Sequence, residues 1–200
     1  MSQADLPSAS VRRRDSAATR AAILRAAREI FTERGYDGAG VREIARAAEV
    51  DSRLISRYFG SKEGLFAEVV DLAYDKSLMM TLELNERAAR ELLAGDGQTA
   101  SDGLLLTLRS AANPRAAAIM RDSIERNYQR RLADALPGDN AWGRAGLLVA
   151  ICSGVLLSRT VLGHTAFTGP QVEQLIPQLR AALDAVARDP AGGGDSPLPR

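Results

Sequence analysis

The stretch from Val41 to Lys62, VREIARAAEVDSRLISRYFGSK, constrains this chain more than any other. Ile44, Ala45 and Ala48 recur at helical spacing. After a polar break at Glu49, Asp51 and Ser52 the apolar pattern resumes at Val50, Ile55, Tyr58 and Phe59. Two short helices joined by a tight turn satisfy this pattern, because their apolar faces can then close on each other. Ala45 is small where the two helices cross. Ser52, Arg53, Ser56 and Arg57 fall at i, i+1, i+4 and i+5, so they form one outward stripe of hydroxyls and guanidiniums on the second helix. Such groups bond base edges and phosphates. An ordinary solvated face of a helical hairpin is the competing explanation.

The rest of the composition agrees with a helical chain. Apolar residues make up 46% of the 200, mostly Ala and Leu with few β-branched or aromatic runs, so an all-α fold is expected. The net charge is only +1, but it is unevenly placed. Up to Lys62 there are 12 basic and 8 acidic residues, a net of +4, and the remainder carries −3. The positive charge accompanies the candidate DNA reader.

Cys152 is the single cysteine, so no internal disulfide is possible and a reducing cytoplasm is expected. The chain offers no cluster of Cys and His for a metal, and no cofactor is expected. The apolar run Leu147 to Leu157 is shorter than the roughly 20 residues that span a bilayer, and is expected to be a buried helix. The first 16 residues lack the apolar core of a signal peptide.

In chain order, residues 1–16 are expected to be a disordered arm rich in Ser, Ala and Arg. Arg12, Arg13 and Arg14 form either an arm that touches a phosphate backbone or minor groove, or a solubilising tail. A first helix opens near Thr19, carries Ile23, Leu24, Ala27, Ile30 and Phe31 on one stripe, and stops before Gly35. Asp51 is the expected N-cap of the reading helix, and Ser61 that of a linking helix through Leu65, Phe66, Val69, Val70 and Ala73. A shift of that helix would move the reader.

Further helices are expected around Leu84 to Leu93, Leu104 to Leu108, Arg115 to Leu136, Trp142 to Leu162 and Val172 to Val186, with a kink or a fresh start at Pro177. The resulting domains are 17–77 for DNA binding and 78–188 for effector binding and dimerisation, followed by a disordered tail over 189–200. Surplus apolar residues on the last two helices suggest a four-helix bundle between two copies. Met79, Met80, Met120, Tyr128 and Trp142 are candidates to line an adaptable apolar pocket, although Met and Leu at helical spacing more often belong to a core.

The segment from Thr19 to Phe66 closely resembles the DNA-binding domain of the tetracycline-repressor (TetR) family of bacterial regulators. The resemblance lies in the first helix, its exit at Gly35 and Tyr36, the VREIA helix, the reading helix ending in Tyr58 and Phe59, and the pair Ser61 and Lys62. The remainder resembles only the family's general plan, a variable helical domain that dimerises and often holds a small molecule. Segments such as RELLAGDG resemble a subgroup common in high-GC actinobacteria. The resemblance implies base-edge contacts from Arg42, Ser52, Arg53 and Ser56 and phosphate contacts from Arg57, Tyr58 and Lys62; Asp51, at the head of the helix, completes the candidate set.

It also exposes three departures. Glu49 stands where the family usually has Gly in the turn, Ser56 where it commonly has Tyr, and Gly40 where a hydroxyl usually caps the second helix. The function implied is a ligand-responsive repressor that binds a palindromic operator as a homodimer. The alternatives are a DNA-binding regulator without small-molecule input and, more remotely, a helical enzyme. His164 and Cys152 have no catalytic partner visible in the sequence, so no enzymatic activity is expected.

Overall fold

The structure, a computed structural model, describes residues 9–75, 80–95 and 98–188. Met79, residues 1–8 of the arm and the tail over 189–200 lie outside the described residues. Among those described, the secondary structure is entirely helical, as the composition predicts. The order is α1 (Ala9–Gly38), α2 (Val41–Ala47), α3 (Arg53–Phe59), α4 (Lys62–Tyr74), α5 (Asn85–Ala94), α6 (Gln98–Ser110) and α7 (Pro114–Ile124). A π turn (Glu125–Gln129) leads into α8 (Arg130–Asp134). Then come α9 (Ala141–Leu156), a second π turn (Leu157–Val161), a 3-10 turn (Thr165–Phe167) and α10 (Val172–Ala187).

The chain divides into two compact units. The first comprises the chain up to Val70 together with Leu105–Met120, and the second comprises Asp71–Leu104 with the chain from Arg121 onward. The expected boundary at residue 77 falls within the first segment of the second unit. Residues 105–120 join the first unit through contacts that local sequence does not advertise. Tyr36 N–H donates to Ser110 Oγ (3.0 Å), Asn113 Nδ2 to Asp37 Oδ1 (2.7 Å) and Arg109 Nη1 to the Thr32 carbonyl (2.6 Å).

In the first unit Ile23, Ala27, Ile30 and Phe31 of α1 close over Ile44 and Ala45 of α2, Ile55 and Phe59 of α3, and Leu65, Phe66 and Val69 of α4. Phe66 is met edge-on by Phe31 and by Tyr36, each at 5.0 Å between centroids. Burying such a ring contributes about 2–3 kcal/mol. Helix α1 begins at Ala9 rather than near Thr19, so residues 9–16 are helical where the sequence predicted disorder. The physical reason is local: beyond Pro7, Ala and Arg dominate up to Arg20, with neither Gly nor Pro to interrupt them. At its far end the helix is broken at Gly35 (φ 69°, ψ −179°), the expected stop.

In the second unit α5 and α10 pack along each other and against α9. The core holds Met80, Ala88, Leu92, Tyr128, Leu132, Leu148, Cys152, Ile176 and Leu183. Helix α10 runs on through Pro177, which cannot donate to the carbonyl of Glu173. From Ala141 to Val161 the helical segment is 21 residues long and, by length and composition, apolar enough to cross a membrane. This helical run matches the helix expected from Trp142 to Leu162. Its two arginines bond to protein carbonyls. Arg144 reaches Asp139, Pro137 and Ala187, and Arg159 reaches Glu91, Leu92 and Gly95.

Candidate nucleic-acid interface

Helix α2 buries Ile44 and Ala45 and leaves Arg42 and Arg46 exposed. Its N-cap, Gly40, is extended (φ −94°) and supplies no side-chain bond, as expected from the missing hydroxyl. The turn that follows is a Schellman motif. Val50 N–H donates to the Ala45 carbonyl (3.0 Å) and Glu49 N–H to that of Arg46 (3.1 Å), with Glu49 left-handed at φ 55°. A residue bearing a β-carbon there carries about 1 kcal/mol of backbone strain. The turn keeps the geometry that glycine would adopt freely.

Asp51 then caps α3. Its Oδ1 accepts from Arg53 N–H at 2.8 Å, and its carbonyl accepts from Leu54 N–H at 3.0 Å. This engages one carboxylate oxygen in holding the reading helix, a positioning task that differs from the DNA contact suggested by the sequence. Ile55 and Phe59 turn inward, while Arg53, Ser56 and Arg57 are exposed and Ser52 is half-buried. Three residues of the expected stripe are thus exposed on α3, and Ser52 precedes the helix. No described carboxylate lies within ion-pair distance of Arg42, Arg46, Arg53 or Arg57, so four guanidiniums stand without a counter-charge. Such a set attracts a polyanion.

At the end of α3, Tyr58 is half-buried and its hydroxyl pairs with Ser16 Oγ of α1 at 3.0 Å. Gly60 (φ 74°) turns the chain, and Ser61 Oγ accepts from Gly64 N–H at 3.2 Å, the expected cap of α4. Lys62, half-buried, holds its ammonium 4.5 Å from the centre of the Tyr36 ring, which fixes it at the head of α4. Next to it, Glu63 accepts bonds from its own backbone amide, from Ser61 and from Arg115, whose Nη1 is 2.8 Å away. Together they draw its carboxyl down to about 2. Burial, then Glu63, pushes the Tyr36 hydroxyl up.

Six of the eight sequence-derived residues thus lie on α2, α3 and the head of α4, with Asp51 and Ser52 between α2 and α3. Arg46, four residues after Arg42 on the same helix, was missed, although its spacing could have revealed it. Ser16 and Arg20 were missed as well. Arg20 lies over the Phe59 ring (5.1 Å) and pairs with Glu68.

The described pocket candidates have differing surroundings. Met80 and Tyr128 share the second unit's core with Cys152, whose thiol is pushed up to about 12 by burial; its Sγ is 2.7 Å from Met80 Sδ. Met120 is buried in the first unit, and Trp142 is 45% exposed, too open to line an enclosed pocket. The reason is helical phase: α9 buries Ala145, Leu148 and Cys152, and Trp142 stands with Leu147 off that face. An open cleft of about 400 Å³ in the second unit is lined by Asp71, Leu72, Asp75, Arg126, Asn127 and Arg131. His164 is exposed, with its ring stacked on Phe167 at 6.3 Å.

A capped reading helix, a left-handed turn and a second helix crossing behind it define a helix-turn-helix DNA-binding protein. A family model described as bacterial regulatory proteins, tetR family, matches residues 23–69, and one described as tetracyclin repressor-like, C-terminal domain, matches 83–186. The chain belongs to the TetR family of DNA-binding transcriptional regulators.

It is 37% identical over 90 residues to the transcriptional repressor NicS of Pseudomonas putida, a match covering 42% of each chain. The chain spans less than half the length of the curated relatives it matches. Among solved structures it resembles GusR of Salmonella enterica (TM-score 0.60, 22% identity, 84% of this chain and 95% of that one). It also resembles a TetR regulator from Rhodococcus sp. RHA1 (TM-score 0.52, 25% identity, 85% and 97%). The first of these likenesses concerns the fold alone.

Proposed function

We propose that this regulator is a cytoplasmic, ligand-responsive repressor that binds a near-palindromic operator as a homodimer and is released by a small apolar effector. The observation that carries the DNA half is the stripe of α3, where Arg53, Ser56 and Arg57 are exposed and the arginines lack counter-charges. Arg42, Ser52, Arg53 and Ser56 read base edges. Arg57, Tyr58 and Lys62 hold phosphates, and Asp51 positions the helix.

Dimerisation is supported by α9 and the segment after it. Trp142, Leu147, Val161 and Leu162 are between 40% and 62% exposed, an apolar surplus that a second copy would cover. Two copies of α3 would then meet major grooves about one turn, roughly 34 Å, apart.

A regulator without small-molecule input is the second reading. It is favoured by the exposure of Trp142, which stands too open to line an enclosed pocket. One set of measurements tests both. Duplexes are selected in vitro with the wild-type chain, and affinities are compared for Arg53→Ala and Lys62→Ala. Arg53→Ala should lose about 1–3 kcal/mol on the selected duplex and relax its preference, whereas Lys62→Ala should weaken all duplexes alike. Unchanged binding in both variants would overturn the DNA assignment. A thermal-shift screen of apolar metabolites, with hits titrated into the complex, separates the two readings. Release must come from tighter binding to the DNA-incompetent state.

A further inference from the structure

The last turn of α3 carries Tyr58 and Phe59, and α1 holds both side chains from residues one turn apart. Ser16 Oγ stands 3.0 Å from Tyr58 OH, and Arg20 lies over the Phe59 ring, 5.1 Å from its centre, while pairing with Glu68 of α4. Positions i and i+4 share one helical face, so a single face of α1 grips α3 twice. The two contacts differ in kind. Phe59 is buried in the core of the first unit, so its contact with Arg20 anchors the helix. Ser16 and Tyr58 are both half-buried, so their hydroxyl pair borders solvent, and Ser16 precedes the stretch 23–69 that the family model matches.

We propose that Ser16 is a positioning residue for DNA binding, which aims the Tyr58 hydroxyl at a backbone phosphate without touching DNA itself. The inference rests on the phosphate contact of Tyr58 in the reading above, and adds the group that directs it. Either oxygen of the pair can donate to the other, so in the free chain the bond has no fixed direction. A phosphate only accepts. It takes the phenol proton and leaves Ser16 as the donor to the Tyr58 oxygen. In the resulting chain, Ser16 O–H to Tyr58 and Tyr58 O–H to phosphate, each bond polarises the next. The Ser16 contact also holds the phenol in place before DNA arrives, which reduces the ordering that binding must impose.

The experiment is a double-mutant cycle on the full chain, with affinity measured against salt concentration on a duplex selected in vitro by the wild-type chain and on one of random sequence. Tyr58→Phe should lower affinity about tenfold on both duplexes, the loss of a hydrogen bond to a charged group. Ser16→Ala should lower it about threefold, again on both. The slope of log affinity against log salt should stay at its wild-type value, because no charge is removed. In the Tyr58→Phe background Ser16→Ala should cost nothing further. Ser16→Thr keeps the hydroxyl and should bind as the wild type does. Alanine raises helix propensity and the Phe59 anchor is untouched, so circular dichroism should report a folded chain throughout.

An equal loss from Ser16→Ala with and without the Tyr58 hydroxyl overturns the proposal, because Ser16 would then act on DNA directly or through the fold alone. Wild-type affinity in Ser16→Ala overturns it as well, as does a Ser16→Thr variant as weak as Ser16→Ala. A loss confined to the selected duplex also overturns it, assigning the pair to base reading. If Tyr58→Phe binds as wild type while Arg53→Ala loses preference, the Tyr58 contact and this inference fall and base reading by α3 stands. Failure of the wild-type chain to bind any duplex removes the DNA reading with it.

Discussion

A β-carbon built on Gly35 would lie 2.2 Å from the carbonyl oxygen of Arg109, 74 positions further along the chain, and 2.8 Å from its carbonyl carbon. Gly35 also holds φ at 69° with ψ at −179°, a region essentially reserved for glycine. Backbone strain and steric overlap therefore coincide at one residue. Gly35→Ala is expected to destabilise the first unit by about 2–4 kcal/mol, combining left-handed strain with overpacking against backbone that cannot rotate away. Urea unfolding followed by circular dichroism checks this, and a loss below about 1 kcal/mol would show that the close approach relaxes freely.

Glu49 presents the opposite situation. It is left-handed at φ 55° and exposed, so strain operates there without overlap. Glu49→Gly is expected to stabilise the chain by about 0.5–1 kcal/mol, the strain removed less the extra freedom of glycine in the unfolded chain. The turn geometry and the affinity for a selected duplex should stay as they were. A fall in stability would mean that the Glu49 side chain contributes more than its backbone loses.

These two residues mark the limit of what the sequence reveals. The helix-turn-helix is legible because its determinants are local: Ile44, Ala45 and Ala48 set one face, Ile55 and Phe59 the other, and the turn demands a left-handed residue at one fixed place. The strain at Glu49 follows from the resemblance, which places glycine at that turn position. The requirement at Gly35 comes from Arg109, and the membership of residues 105–120 in the first unit comes from Ser110 and Asn113. No periodicity within α1 or α6 encodes such partners. The lining of a pocket is not legible for a related reason. Apolar character marks Trp142 and Met80 alike, but only helix phase and packing decide that one is 45% exposed and the other fully buried.

At the head of α4, Glu63 links pH to stability. Its carboxyl is drawn down to about 2 by its own amide, Ser61 and Arg115, whereas in the unfolded chain it titrates near 4.5. Between those values the unfolded state binds more protons, so stability rises with pH. The contribution is complete above about 4.5 and is lost as pH falls toward 2. Solvent screening at this half-exposed pair keeps it small. Glu63→Gln should flatten this part of the acid limb of the urea midpoint against pH while leaving the slope above about pH 5 as in wild type. An acid limb identical in the two proteins would remove Glu63 as its source.

Arg144 stands in the most apolar helix of the chain, yet is only 8% exposed. Its guanidinium donates to the carbonyls of Asp139 (3.1 Å), Ala187 (2.9 Å) and Pro137. Ala187 is the last residue of α10, so the cation meets the negative end of that helix. The loop before α9 is thereby tied to the end of α10. Truncation to Met would keep much of the packing of the stem but leave the Ala187 carbonyl unsatisfied in a buried position and cut the tie to the loop. Arg144→Met is therefore expected to lose about 2–4 kcal/mol. Lys at this position should recover only part of the loss, because a compact ammonium cannot span three carbonyls set out for a planar fork. Unfolding curves for the two variants give the comparison, and a Met variant within about 0.5 kcal/mol of wild type would show that hydrophobic burial can replace the three bonds without loss.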